Sequence, residues 1–250
     1  REYILSEAMH AMNVPTTRAL AAISTGDDVF RETALKGGIL TRVSSSLIRV
    51  GTFEFFRARQ DLENLRILAN YSINRLYPAI SDQNNKYLLL FNAIAEKQST
   101  LISKWMSIGF IHGVMNTDNF SISGETIDYG PCAFMESYDP DTVFSSIDRH
   151  GRYKYSNQPK IALWNLSCLA GSLLPIIDGN EDEKEEIIRE SLGNFSKDLN
   201  SKINIEMTKK IGLKETKQSN ELTKNLLSIM HQNGADFTLT FRSLSSAIKG

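Results

Sequence analysis

The sequence has little cysteine, no surplus of charge and no long apolar run. Its 250 residues include only two cysteines, Cys132 and Cys168, which is too few for a disulfide framework, so we expect a reducing compartment. The 28 basic and 29 acidic residues give a formal charge of −1, which argues against a nucleic-acid or anionic-membrane partner. No apolar run approaches the roughly 18 residues of a membrane span. With 41% apolar residues, the composition predicts a soluble globular chain with a sizeable core.

The spacing of apolar residues predicts an α+β fold. A helical pattern runs from Glu2 to Met12, and short β-branched segments broken by glycines follow it, so residues 1–51 are predicted to form one helix and a few short strands. The long amphipathic runs after Thr52 predict mainly helices over residues 52–250. Trp105 and Trp164 are expected to fill the core.

One stretch, "HGVMNTDNFSISGETIDYGPC" at residues 112–132, concentrates the chemistry. Alternating residues around its Ser-Gly-Glu-Thr turn predict a β-hairpin, with Asn119 and Asp128 close together at the open end. An amide oxygen beside a carboxylate suits magnesium. Asp118 comes just before this pair, where it could accept a proton from a hydroxyl or bind a second metal. As isolated residues, Asp and Asn in such places are more often caps and turn residues.

The spacing within this stretch matches that of kinases. His112 and Asn119 are seven residues apart, and Asp128-Tyr129-Gly130 supplies an Asp-aromatic-Gly metal motif. The catalytic Asp of the kinase pattern lies two residues after the His. Val114 occupies that position and cannot accept a proton, so the pattern does not favour a standard kinase reaction.

Several longer stretches resemble the selenoprotein O family, pseudokinases that act as protein adenylyltransferases. They are "REYILSEAMHAMNVPTTRAL", "LTRVSSSLIRVGTFEFF", "HGVMNTDNFSISGETIDYGPCAFMESYDP" and "TVFSSIDRHGRYKYSNQPKIALWNL". After about Leu174 the likeness is weaker, apart from "DFTLTFRSL" near the C-terminus, which is also similar to the family. The resemblance implies a protein-kinase-like fold, with a partial N-lobe at residues 1–51 and a helical C-lobe at residues 52–250 that contains the catalytic loop and metal-binding hairpin, residues 112–132. The family's glycine-rich loop and its Lys should lie upstream of Arg1, so we expect a fragment that lacks this loop and the family's C-terminal end. Because this loop and Lys would hold the phosphates, we expect residues 1–250 alone to show little or no adenylylation.

The resemblance also implies roles for three residues of the central stretch. Asp118 would be the catalytic base. Asn119 and Asp128 would bind magnesium, or else manganese or calcium, and Asp128 would thereby also belong to the nucleotide site.

Outside that stretch, the resemblance implies that Arg42 and Arg49 contact the nucleotide and that Glu2 pairs with the upstream Lys. Guanidinium groups can grip phosphate oxygens bidentately. Without the resemblance, two arginines seven residues apart would more often belong to a solvated face.

The expected function is therefore transfer of AMP from ATP to Ser, Thr or Tyr hydroxyls of proteins, with magnesium as cofactor. Two alternatives stay open. One is kinase-type phosphotransfer, with Asp118 replacing the base that is absent at Val114, and the other is a non-catalytic nucleotide-binding scaffold. The expected partners are ATP and protein substrates, with no nucleic acid and no membrane. The expected location is the cytoplasm in a bacterium or the mitochondrion in a eukaryote. For Cys132, a redox link to a cysteine near the family's C-terminus is a further hypothesis.

Overall fold

The computed structural model describes residues 1–30 and 32–247, and within them the fold is α+β, as the sequence predicts. Eight α-helices and two small antiparallel sheets are found in this range. The helices are α1 (Glu2–Ala11), α2 (Val50–Ala58), α3 (Leu62–Leu76), α4 (Lys86–Ser107), α5 (Gln158–Leu173), α6 (Glu181–Lys210), α7 (Lys217–Gln232) and α8 (Phe237–Ala247). The strands are β1 (Arg18–Phe30), β2 (Ala34–Val43), β3 (Phe110–Ile111) and β4 (Ala133–Phe134).

The first sheet is one long hairpin, where the sequence had predicted a few short strands. β1 pairs with β2 from Arg18 opposite Val43 to Phe30 opposite Ala34. The glycines expected to break the strands lie inside this ladder instead. The pairing shifts register between Ser24 and Asp28, and a bulge of this kind accommodates Gly26, whose φ is +82°.

Helix α4 lies at the centre of the core and packs against α5 and α6. Its buried face carries Leu90, Ile94, Leu101 and Trp105, and their spacing of four or seven residues places them on one side of the helix. Gln98 lies on the same face, and its Nε2 donates to the carbonyl of Ser121 at 2.6 Å. Neither α4 nor any other helix of the described residues has both the length and the apolar character needed to cross a bilayer.

The second sheet sets the two ends of the 112–132 loop side by side. Phe110 pairs with Phe134, and Ile111 pairs with Ala133, so the loop leaves β3 and returns along β4. At the start of α5, the fully buried Gln158 accepts a hydrogen bond from the His112 N–H at 3.0 Å. Its Nε2 donates to the Phe110 carbonyl at 2.9 Å. One side chain therefore fixes the point where the loop begins.

The two tryptophans differ in environment. Trp105 is 2% exposed, as the sequence predicts. The core position predicted for Trp164 is wrong, since this residue is 41% exposed. It lies on the outer side of α5, where the Arg152 guanidinium sits over its ring at 4.5 Å from the centroid and covers part of the indole.

We predict that Gln158→Leu lowers the free energy of unfolding by about 2–4 kcal/mol, because it leaves a buried N–H and a buried carbonyl without partners. Denaturant unfolding measures this change. Gln232→Leu, at an exposed position of α7, is the matched control and should change stability by less than about 0.5 kcal/mol. Equal effects of the two substitutions would contradict the role assigned to Gln158.

Candidate active site

The 112–132 loop is held by two other parts of the chain. On its first arm, Ser121 forms a β-bridge with Arg49, and backbone hydrogen bonds join Val50 to Phe120 at 3.0 Å and Ile122 to Ile48 at 3.1 Å. We call this contact the 48–50/120–122 pairing.

The second arm of the loop pairs with the segment that follows α1. Thr126 bridges Thr16, and its N–H donates to the Pro15 carbonyl at 2.9 Å. The two arms thus pair with residues 15–17 and 48–50 and not with each other, so the predicted β-hairpin is corrected to a turn. Its reversal is made by Gly124, whose φ is +73° and whose N–H donates to the Ser121 carbonyl at 3.2 Å.

A buried histidine connects the two arms. His112 is fully buried and stacks on the Trp105 ring with centroids 5.2 Å apart. Burial lowers the pKa of His112, because the low-dielectric interior disfavours the imidazolium. In the neutral ring, Nε2 donates to the Ile127 carbonyl at 2.8 Å, while Nδ1 accepts from the Val114 N–H at 3.4 Å. His112 is therefore a structural tie between the arms.

Each of the two predicted metal ligands is next to a residue that this tie joins, Asn119 through a hydrogen bond to Val114 and Asp128 as the neighbour of Ile127. Asn119 Nδ2 donates to the Val114 carbonyl at 3.0 Å, which fixes the amide and leaves its oxygen available. Asp128 follows Ile127 with a left-handed φ of 67°, a conformation that Asp tolerates better than most residues. No hydrogen bond or ion pair from the described part of the chain reaches the Asp128 carboxylate. An available amide oxygen and an unpaired carboxylate fit a hard divalent cation, with water and phosphate completing its shell.

Asp118 presents its carboxylate to solvent. It lies in a short 3₁₀ turn, Thr117–Asn119, which packs against the first turn of α2. Asp118 is exposed, and within residues 1–30 and 32–247 its carboxylate has no hydrogen-bond or ion-pair partner. An incoming hydroxyl group can therefore reach it.

Glu2 links Arg42, a predicted nucleotide-binding arginine, to the 112–132 loop. Its Oε2 pairs with Arg42 Nη2 at 2.8 Å, and its Oε1 accepts from the Tyr129 N–H at 2.5 Å. The resemblance had assigned Glu2 to an upstream Lys. In the structure Glu2 connects Arg42 to the residue that follows Asp128.

Arg49, the second predicted nucleotide-binding arginine, lies directly before α2. Its Nε is buried and has no hydrogen-bond partner among the described residues. A buried guanidinium N–H without an acceptor destabilises the folded protein. A phosphate oxygen could accept a hydrogen bond from this N–H.

Sequence reasoning missed the residues that support the site. Gln158 anchors the start of the loop, as described above, and Arg1 Nη2 donates to the Cys132 carbonyl at its end, at 2.6 Å. Tyr129 is fully buried, and its hydroxyl bonds to that of Thr16. Each of these contacts joins residues far apart in sequence, so no local pattern could have indicated them.

The loop ends at a shielded thiol. Cys132 is fully buried, and burial raises its pKa to about 11, although Arg1 opposes this shift. At neutral pH the group is therefore a thiol and not the reactive thiolate.

Comparison with known proteins finds relatives along the whole chain. Residues 1–250 match the model of a family described as protein adenylyltransferase SelO. The protein nucleotidyltransferase YdiU of Maridesulfovibrio salexigens is 53% identical over 250 residues, which cover 100% of this chain and 51% of the relative. The protein of the same name from Rhizobium rhizogenes is 54% identical over 245 residues, which cover 98% of this chain and 49% of the relative. This chain thus spans about half the length of these relatives.

We predict that Cys132 is alkylated by iodoacetamide at pH 8 on the order of a hundredfold more slowly in the folded than in the unfolded protein, because its raised pKa leaves little thiolate. Cys168→Ser isolates the Cys132 reaction, and mass spectrometry measures it. The rate should rise about tenfold per pH unit below a pH of about 11. Similar rates in the folded and unfolded states would contradict this account.

Proposed function

Because the chain belongs to the SelO family of protein adenylyltransferases, we propose that it transfers AMP from ATP to Ser, Thr or Tyr hydroxyls of proteins. The observation that carries the proposal is the composition of one loop. This loop offers the Asp118 carboxylate for the proposed base, and the Asn119 amide oxygen and the Asp128 carboxylate for the proposed metal ion. Among the described residues, no hydrogen bond or ion pair reaches any of these three groups. A protein-kinase-like arrangement with two lobes belongs to the same proposal. The boundary expected between residues 51 and 52 lies inside α2 (Val50–Ala58), so the two lobes of this proposal meet at that helix.

Asp118 acts as the general base. The oxygen of a substrate hydroxyl attacks the α-phosphorus of ATP, the bond between the α-phosphorus and the bridging oxygen breaks, and pyrophosphate leaves. The hydroxyl proton passes to the Asp118 carboxylate. A solvent-exposed, unpaired carboxylate supports this role, because the reacting hydroxyl belongs to another protein and must approach from outside.

Asn119 and Asp128 hold a magnesium ion through the amide oxygen and the carboxylate. When bound, this ion neutralises negative charge on the phosphates. The contribution of the chain is to fix the two oxygens. The hydrogen bond from Asn119 to Val114 and the tie through His112 do this.

Arg42 and Arg49 bind phosphate oxygens. Glu2 occupies one terminal nitrogen of Arg42 and leaves the other donors of the guanidinium for the nucleotide. Arg49 offers the buried Nε described above. Two guanidinium groups beside the metal-binding loop stabilise the charge that develops as pyrophosphate leaves.

We predict that, in the full-length protein, Asp118→Ala reduces transfer of label from α-labelled ATP to protein by about a hundredfold or more, the usual contribution of a general base. All label-transfer assays proposed for this protein use the full-length form. Nucleotide affinity, measured by calorimetry, should change little, because Asp118 does not contact the phosphates in this proposal. Asp82→Ala, at an exposed position, is the control and should retain activity. Undiminished transfer in Asp118→Ala would refute the assignment of the base.

The same assay decides between the alternative functions. Label entering protein from γ-labelled but not α-labelled ATP would establish phosphotransfer. Magnesium-dependent ATP binding with no transfer of either label would establish a nucleotide-binding scaffold.

We predict that Asp128→Asn raises the magnesium concentration for half-maximal label transfer roughly tenfold or more, because the substitution removes the only charged ligand of the proposed pair. Magnesium titrations at saturating ATP measure the change. Asp82→Asn removes the same charge at an exposed position and should leave the magnesium requirement unchanged. An unaltered requirement in Asp128→Asn would exclude this carboxylate as a ligand.

A further inference from the structure

A glycine in α2 lies against the carboxylate of Asp118. Gly51 belongs to the first turn of α2. A β-carbon built on Gly51 would lie 2.4 Å from Asp118 Oδ1, 3.3 Å from Asp118 Cγ and 3.4 Å from Thr117 Oγ1. The first distance is far below van der Waals contact, so the Asp118 carboxylate occupies the space that a side chain at position 51 would fill.

The backbones on both sides of this contact are fixed. Beside Gly51, the Val50 N–H donates to the Phe120 carbonyl at 3.0 Å, and the Arg49 N–H donates to Thr52 Oγ1 at 3.3 Å. Beside Asp118, the Asn119 N–H donates to the Asn116 carbonyl at 3.0 Å. Because neither backbone is free to retreat, an added β-carbon has to displace the Asp118 side chain.

Displacing that side chain should change the stability of the fold little but should lower the rate of the reaction strongly. Asp118 is exposed and its carboxylate has no partner within the described residues, so the side chain can rotate toward solvent without breaking a hydrogen bond. A general base that is misplaced by about 1 Å, however, can lose on the order of a hundredfold in rate. Stability and catalysis should therefore respond differently to a substitution at position 51.

We propose that Gly51 is a positioning residue, which sets the place of the Asp118 carboxylate by leaving room for it against the first turn of α2. The catalytic part of this inference rests on the proposed function. The geometric part, in which position 51 determines where the carboxylate lies, does not.

The test compares two glycine-to-alanine substitutions in helices. Gly51→Ala should lower kcat for label transfer on the order of a hundredfold, with KM for ATP within about twofold of the original value and a Tm within about 2 °C. Gly171→Ala, in α5, is the matched control, because a β-carbon there would meet no neighbouring atom of the described residues within 4 Å. It should change neither kcat nor KM. A purely structural role for Gly51 would instead lower Tm, and an unchanged kcat in Gly51→Ala would overturn the proposal.

Crystal structures of the two variants test the geometry independently of activity. The Asp118 carboxylate should be turned away from α2 in Gly51→Ala and unmoved in Gly171→Ala. The same carboxylate position in both variants would overturn the proposal. If the unsubstituted protein transfers neither label, the proposed function fails, and the crystal structures still decide the role of Gly51.

A double variant covers the case in which Gly51→Ala folds poorly. Asp118→Ala in the same chain removes Oδ1 and Cγ of Asp118, the two atoms that lie closest to the new β-carbon. The Tm of the double variant should then equal that of Asp118→Ala. A further loss of Tm in the double variant would show that position 51 acts through other contacts and would overturn the proposal.

Discussion

The 48–50/120–122 pairing is the contact on which the candidate site depends. It fixes the first arm of the loop through backbone hydrogen bonds, and it places the start of α2 beside the turn that carries Asp118. It also sets Arg49 next to Ser121. The proposed base Asp118, the backbone of Arg49 and the proposed metal-binding loop therefore share one backbone frame.

Much of that frame is buried, whereas the proposed base Asp118 is exposed. The Tyr77 hydroxyl and the Gln98 amide donate to successive loop carbonyls, those of Ile122 and Ser121, each at 2.6 Å. His112 satisfies two further backbone groups of the loop. Because buried polar groups are costly when unpaired, these bonds strongly favour a single loop conformation. The carboxylate of Asp118, by contrast, has no hydrogen-bond or ion-pair partner among residues 1–30 and 32–247.

The sequence predicts the helices and the motif better than the contacts between them. Helical periodicity is a local property, and it correctly indicated α1 and the helices after residue 52. The spacing from His112 to Asn119 and Asp128 indicated the candidate site, whose chemical roles stay a prediction. The partners of the loop could not be predicted, because the alternation around Gly124 is equally compatible with pairing to other segments. The core position expected for Trp164 failed because an apolar run does not reveal which side of a buried helix faces Arg152.

The ties between α1 and the loop also bear on the order in which the chain folds. Tyr129 and Glu2 are 127 residues apart, and Cys132 and Arg1 are 131 residues apart. Closing such long segments is entropically expensive, and local helical contacts form faster than distant ones. We therefore expect the helices around α4 to collapse first and the ends of the loop to be captured by α1 late. During synthesis on the ribosome, α1 emerges long before its partners. More than a hundred further residues must therefore be synthesised before its first residues can form these contacts.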